Sequence, residues 1–177
     1  IELLTNVTEC ITIFNAVKGT ISLGNYTWSC GSSSATLDIT SSPAEITVSA
    51  GTGKMTHSVG GVITNSGKLT LSGVDVYSNS GTTITNSGTL SLTAETYVNY
   101  AGSSQYGALG IQNNSGGTVT ITESAVYSNM TNAVTNAGTL TLNAGAIVGL
   151  QYGVSNVGTL NISNSGSQVS GEIAAIL

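Results

Sequence analysis

Val62-Ile63-Thr64-Asn65-Ser66-Gly67-Lys68-Leu69-Thr70-Leu71 decides the fold, because the chain repeats it with small changes. It returns as Thr83-Ile84-Thr85-Asn86-Ser87-Gly88-Thr89-Leu90-Ser91-Leu92, then as Gly110-Ile111-Gln112-Asn113 with Thr118-Val119-Thr120-Ile121. The last two copies are Val134-Thr135-Asn136-Ala137-Gly138-Thr139-Leu140-Thr141-Leu142 and Val154-Ser155-Asn156-Val157-Gly158-Thr159-Leu160-Asn161-Ile162. The asparagines at 65, 86, 113, 136 and 156 set a period near 21 residues, with a few insertions. A fixed period of this size marks a repeat architecture, whose units bury their apolar faces only by stacking on neighbours.

Each copy divides into three stretches with an alternation of two, the mark of strands. The first is the Leu-Thr-Leu type, with two aliphatic side chains pointing in and a hydroxyl pointing out. The second is Val76-Tyr77-Ser78-Asn79 or Val126-Tyr127-Ser128-Asn129, with Tyr97-Val98 and Ile147-Val148 as looser copies. The third is Ile/Val-Thr-Asn, closed by an Asn-x-Gly turn in which glycine is expected to supply positive φ. No window has helical spacing, and β-branched residues dominate. The expected fold is all-β: a parallel β-helix, or β-solenoid, of three short strands per turn and about seven turns.

Stacked turns lie about 4.8 Å apart, so identical residues form columns. Asn65, Asn86, Asn113, Asn136 and Asn156 are expected to make an inward amide ladder; the alternative is five independent turn asparagines. The first sixty residues repeat the pattern less legibly. Thr20-Ile21-Ser22-Leu23 and Glu45-Ile46-Thr47-Val48 match the Leu-Thr-Leu strand, Ile13-Phe14-Asn15 matches Ile-Thr-Asn, and Leu37-Asp38-Ile39 takes the third-strand place. Residues 1–177 are expected to form one domain: irregular turns over 1–60, regular repeats over 61–166 and an apolar tail over 167–177. The longest interruption, Asn99 to Gly107, reads as a loop between second and third strands.

Charged residues make up only 6% of the chain, arginine is absent, and the net charge is −5. Nucleic-acid binding is disfavoured, because it needs a basic face to replace counterions. No apolar run approaches membrane-spanning length, so insertion in a bilayer is not expected. Without an initiator Met or signal peptide, the chain reads as a mature product or an excised piece. Cys10 and Cys30 stand 20 residues apart, near one turn, and are expected to join in a disulfide; two buried thiols are the alternative. A disulfide fits an oxidising, extracellular compartment.

The run Gly60-Gly61-Val62-Ile63-Thr64-Asn65-Ser66-Gly67-Lys68-Leu69-Thr70-Leu71, followed by Tyr77-Ser78-Asn79, resembles the "GGAIxNxGTLTL…xxxN" repeats of bacterial surface parallel β-helices. These include polymorphic outer-membrane proteins, autotransporter-passenger-like proteins and related cell-wall adhesins. The resemblance covers residues 60–166. It implies a right-handed β-helix at the cell surface with an adhesive or structural role.

Enzymatic chemistry is not expected; a carbohydrate-active enzyme is the third reading, after a structural solenoid and a binding face. The carboxylates nearest to a pair are Asp75, Glu95 and Glu123 on successive turns, drifting sideways rather than forming a column. His57, the only histidine, has no companion at metal-ligand spacing and reads as a solvent-facing strand residue, so neither metal nor cofactor is expected. Trp28 and Phe14 are expected to plug the wider N-terminal turns. The candidate binding face is a hydroxyl array: Thr89 and Ser91, Thr118 and Thr120, Thr139 and Thr141, and Thr159. Thr20/Ser22, Glu45/Thr47 and Lys68/Thr70 extend it toward the N-terminus. Its Thr-x-Thr spacing resembles that of ice-binding β-solenoids, which makes a glycan or ice face the alternative to a scaffold; the simpler reading is that Thr suits an exposed strand. The candidate assembly ends are Ile1, Leu3 and Leu4 at one terminus and Ile173, Ile176 and Leu177 at the other. They suggest copies of the same chain, end to end, as partners, alongside a glycan or host surface.

Overall fold

The computed structural model describes residues 1–99 and 109–177. These residues form strands and turns with no helix, and each turn gives one strand to each of three parallel sheets. The first sheet has seven strands, from Lys18–Ser22 through Lys68–Ser72 and Thr89–Thr93 to Thr159–Ser163. The second also has seven, from Thr27–Cys30 through Tyr97–Val98 to Gln168–Gly171. The third has eight, from Ile11–Ile13 through Thr82–Asn86 to Ala174–Ile176. The chain is a β-solenoid of about seven turns.

Alternation does the sorting. In Thr89–Thr93 the two leucines are buried while Thr89, Ser91 and Thr93 face out. Val48, Leu71, Leu92, Ile121 and Leu142 follow one another in register and are fully buried. Burying an aliphatic side chain stabilises by about 1.5–3 kcal/mol, and every rung adds such residues to the same columns.

The N-terminal turns keep the alternation but not the expected register. Gly19, rather than Ile21, stands opposite Ile46, and Ile21 stands opposite Val48. The first outward pair is therefore Lys18/Thr20, not Thr20/Ser22. In the third sheet, Ile13 pairs with Ile39, which pairs with Asn65, so Asn15 is not the first asparagine of the column. Trp28 is buried and its Nε1 donates to Glu9 O at 2.8 Å, but Phe14 lies outside, 62% exposed. The expected loop lies, beyond Asn99, outside the described residues.

The glycines of the Asn-x-Gly corners differ from expectation as well. Positive φ belongs to Gly24, Gly73, Gly81 and Gly116, not to Gly67, Gly88, Gly138 or Gly158. What the corner requires is close approach. A Cβ on Gly88 would run into the carbonyl oxygen of Gly67, and one on Gly158 into that of Gly138. Left-handed backbone recurs where the first sheet turns into the second, at Gly24, Gly73, Ala94, Glu95, Glu123, Ala144 and Asn164, and occurs singly elsewhere at Asn15, Gly81, Asn99 and Gly116.

Gly88→Ala should therefore destabilise by about 1–3 kcal/mol, because the atoms it meets are backbone and cannot step aside. Gly19→Ala meets nothing within 4 Å and should shift stability by no more than about 0.5 kcal/mol. Urea denaturation of the two variants compares them directly.

Candidate functional site

The asparagines form a continuous hydrogen-bonded chain inside the corner where the third sheet turns into the first. Nδ2 of Asn65 donates to Oδ1 of Asn86 at 2.8 Å, Asn86 to Asn113 at 2.8 Å, Asn113 to Asn136 at 2.7 Å and Asn136 to Asn156 at 2.6 Å. The same amides also reach backbone. Asn86 Nδ2 donates to Gly88 O at 3.0 Å and Thr118 O at 3.2 Å. At the head of the ladder, Asn65 Oδ1 accepts from Gly67 N–H at 3.1 Å. Asn65, Asn86, Asn113 and Asn136 are fully buried. The ladder thus satisfies polar backbone that water cannot reach.

The hydroxyl array lies on the outward face of the first sheet. Thr89, Thr118, Thr139 and Thr159 are register partners, and beside them run Ser91, Thr120, Thr141 and Asn161. A further outward row, Thr93, Thr122, Asn143 and Ser163, completes it. In the first three turns the row of Thr89 becomes Lys18, Glu45 and Lys68. Lys18 Nζ lies 2.9 Å from Glu45 Oε1, and this hydrogen bond and charge hold the Glu45 carboxyl below its ordinary range. Both side chains are exposed, so the pair adds little stability.

The three acidic candidates are not equivalent. Asp75 sits on a second-sheet strand opposite Tyr97, where burial raises its pKa and nearby Lys54 pulls the other way. Glu95 and Glu123 sit on the left-handed corner, one turn apart, with Glu95 N–H donating to Glu123 O at 3.0 Å. These two, but not Asp75, line an open groove of about 450 Å³ with Tyr97, Tyr127 and Gln168. In the sequence the two tyrosines read only as strand residues. The available signal was their recurrence in copies of one strand.

His57 is buried, contrary to the expectation of a solvent-facing residue. It occupies the column of Cys30 and Ser78, accepting from Val59 N–H at Nδ1 (3.2 Å) and donating from Nε2 to Ser34 O (2.8 Å). Its place is that of a corner-filling polar residue. No group of three or more His, Cys, Asp or Glu among the described residues could hold a metal. A disulfide joins Cys10 and Cys30, with Cα atoms 5.2 Å apart.

At the N-terminus, Ile1 and Leu3 bond to the edge of the first sheet through Ser22, while Leu4 is 79% exposed. Leu3 packs partly against the core rather than facing outward. At the other terminus, Leu177 exchanges backbone bonds with Val154 and Asn156, and Ile173, Ile176 and Leu177 stay exposed. No protein-family model, curated protein or solved structure matches this chain.

Asn86→Ala removes a rung that bonds both neighbouring asparagines and two carbonyls, and should cost about 1–3 kcal/mol. Thr85→Ala, on the half-buried outward side of the same strand, should cost clearly less. Equal melting temperatures would show that the ladder contributes nothing to stability.

Proposed function

We propose that this chain is an extracellular structural or adhesive β-solenoid, acting as a surface stalk or as a subunit that stacks end to end. The observation that carries this reading is the register of the final rung. Leu160, Ile162, Val169 and Ile176 stand opposite core residues Leu140, Leu142, Ile147 and Val154, so the columns run unbroken to the outer edge. Ile162 and Ile176 are 48% and 46% exposed there, beside strand edges able to accept another strand. Such an edge is extended equally well by further rungs of one polypeptide or by a second copy. The Cys10–Cys30 disulfide supports an oxidising compartment, and the similarity to surface-repeat motifs supports display on a cell.

A second reading has its own support. Two outward rows, those of Thr20 to Asn161 and Ser22 to Ser163, are uncharged through all seven strands of the first sheet. A flat, periodic, uncharged hydroxyl face suits a lattice such as ice. Ice-recrystallisation inhibition that is lost in Thr120→Lys would support it, and no inhibition by the parent chain would remove it.

For the leading reading, light scattering and electron microscopy of the purified chain should show concentration-dependent linear association. The double variant Ile162→Lys, Ile176→Lys should stay folded and monomeric, since both side chains are about half exposed at the outer end of their columns. A parent chain that remains monomeric at high concentration would overturn self-stacking.

A further inference from the structure

One column of the second sheet changes size abruptly. Tyr97, Ala125, Ala146 and Gln168 are successive register partners, so two small residues lie between two long ones. The result is a saddle spanning three rung spacings, or about 14 Å. Tyr127 bounds one side, from the outward position two residues beyond Ala125. Glu95 and Glu123 bound the other, on the left-handed corner. The trough of about 450 Å³ thus has a floor of small side chains, two aromatic walls and an acidic lip.

We infer that this trough binds a short segment of an uncharged glycan. This goes beyond the structural role, which needs no ligand. A sugar ring offers apolar C–H faces and a rim of hydroxyls. Tyrosine rings match the faces at little entropic cost and add a polar handle. Carboxylates only accept hydrogen bonds, so Glu95 and Glu123 suit hydroxyl donors, while the Gln168 amide both donates and accepts. No lysine lines the trough, and the chain contains no arginine, so an anionic sugar would meet two carboxylates with no cation to balance it. Lys54 serves a different tyrosine, its Nζ lying 5.7 Å from the Tyr77 ring centroid. Ala94, Glu95, Glu123 and Ala144 hold positive φ along the corner beside the trough, as Gly73 and Asn164 do at the same corner on other rungs, so the corner's own geometry fixes where the two carboxylates stand.

The test is calorimetric titration of the 177-residue chain with neutral oligomers of glucose, mannose, galactose and N-acetylglucosamine, and with an oligouronate as the anionic arm. At least one neutral oligomer should bind and the oligouronate should not. Ala146→Leu fills the floor while removing nothing, and should weaken binding by tenfold or more at an unchanged melting temperature. Glu123→Gln should weaken it by about tenfold, the scale of losing a charged hydrogen-bond acceptor. Thr120→Ala, on the hydroxyl face, should bind like the parent. The inference is overturned if no neutral oligomer binds, if the oligouronate binds as well as the neutral ones, or if Ala146→Leu binds undiminished. None of these outcomes bears on end-to-end stacking, which light scattering reads separately.

Discussion

The structure depends on how closely backbones approach at the Asn-x-Gly corner. Rungs about 4.8 Å apart leave no room there for a side chain, so glycine is required. They also leave no room for water, so buried carbonyls need partners from within. The asparagines of the same and the adjoining rung supply them, and in doing so pin register. Asn113 Nδ2, for example, reaches Asn136, Gly117 O and Thr139 O together. A slip by one residue would lose these bonds and turn every outward hydroxyl of the rung into the core.

The N-terminal turns show what happens without the ladder. Ile13 and Ile39 occupy its column, and an aliphatic side chain gives the corner no polar partner. The connection there is longer: Ile39 and Glu45 are separated by a five-residue corner containing Pro43, where Asn65 and Lys68 are separated by two and Asn113 and Thr118 by four. That corner closes on its own backbone, with Ala44 N–H donating to Ser41 O at 3.1 Å. Larger single plugs then fill the interior, including Trp28, Met55 and His57. The Cys10–Cys30 bridge ties the least regular turn to the next strand, where loop-closure entropy is removed from the unfolded chain.

This contrast explains which parts of the fold were legible in the sequence. Three strands per turn, their parallel stacking and the asparagine column all follow from a repeat that returns with small changes. The register of the first turn does not, because an alternation of two looks the same after a shift of two. Thr20-Ile21-Ser22 and Lys18-Gly19-Thr20 both belong to one strand, and only its pairing shows that Ile21 lies opposite Val48 and leaves Gly19 opposite Ile46. The burial of His57 escaped for a related reason: its column holds Cys30, Ser78 and Ser128, which share no side-chain chemistry but all face a tight corner. Phe14 was misplaced by its hydrophobicity alone. The trough on the second sheet was invisible because a gap is a property of neighbours, and Ala125 and Ala146 are informative only once Tyr97 and Gln168 are known to lie in their column.

Because inward columns hold the register, the outward positions are free to vary, and the faces have diverged. The first sheet carries hydroxyls and amides with charge confined to its first three rungs, while the second carries tyrosines and the carboxylate of Asp75. The corner between them is where freedom has been used least economically. Gly24 and Gly73 show that glycine fits the left-handed conformation there, yet Ala94, Glu123 and Ala144 adopt it with a Cβ. A left-handed residue other than glycine is strained by roughly 1–2 kcal/mol. Side chains at this corner therefore take their direction from the turn itself, and on two adjoining rungs that direction sets the carboxylates of Glu95 and Glu123 at the lip of the trough.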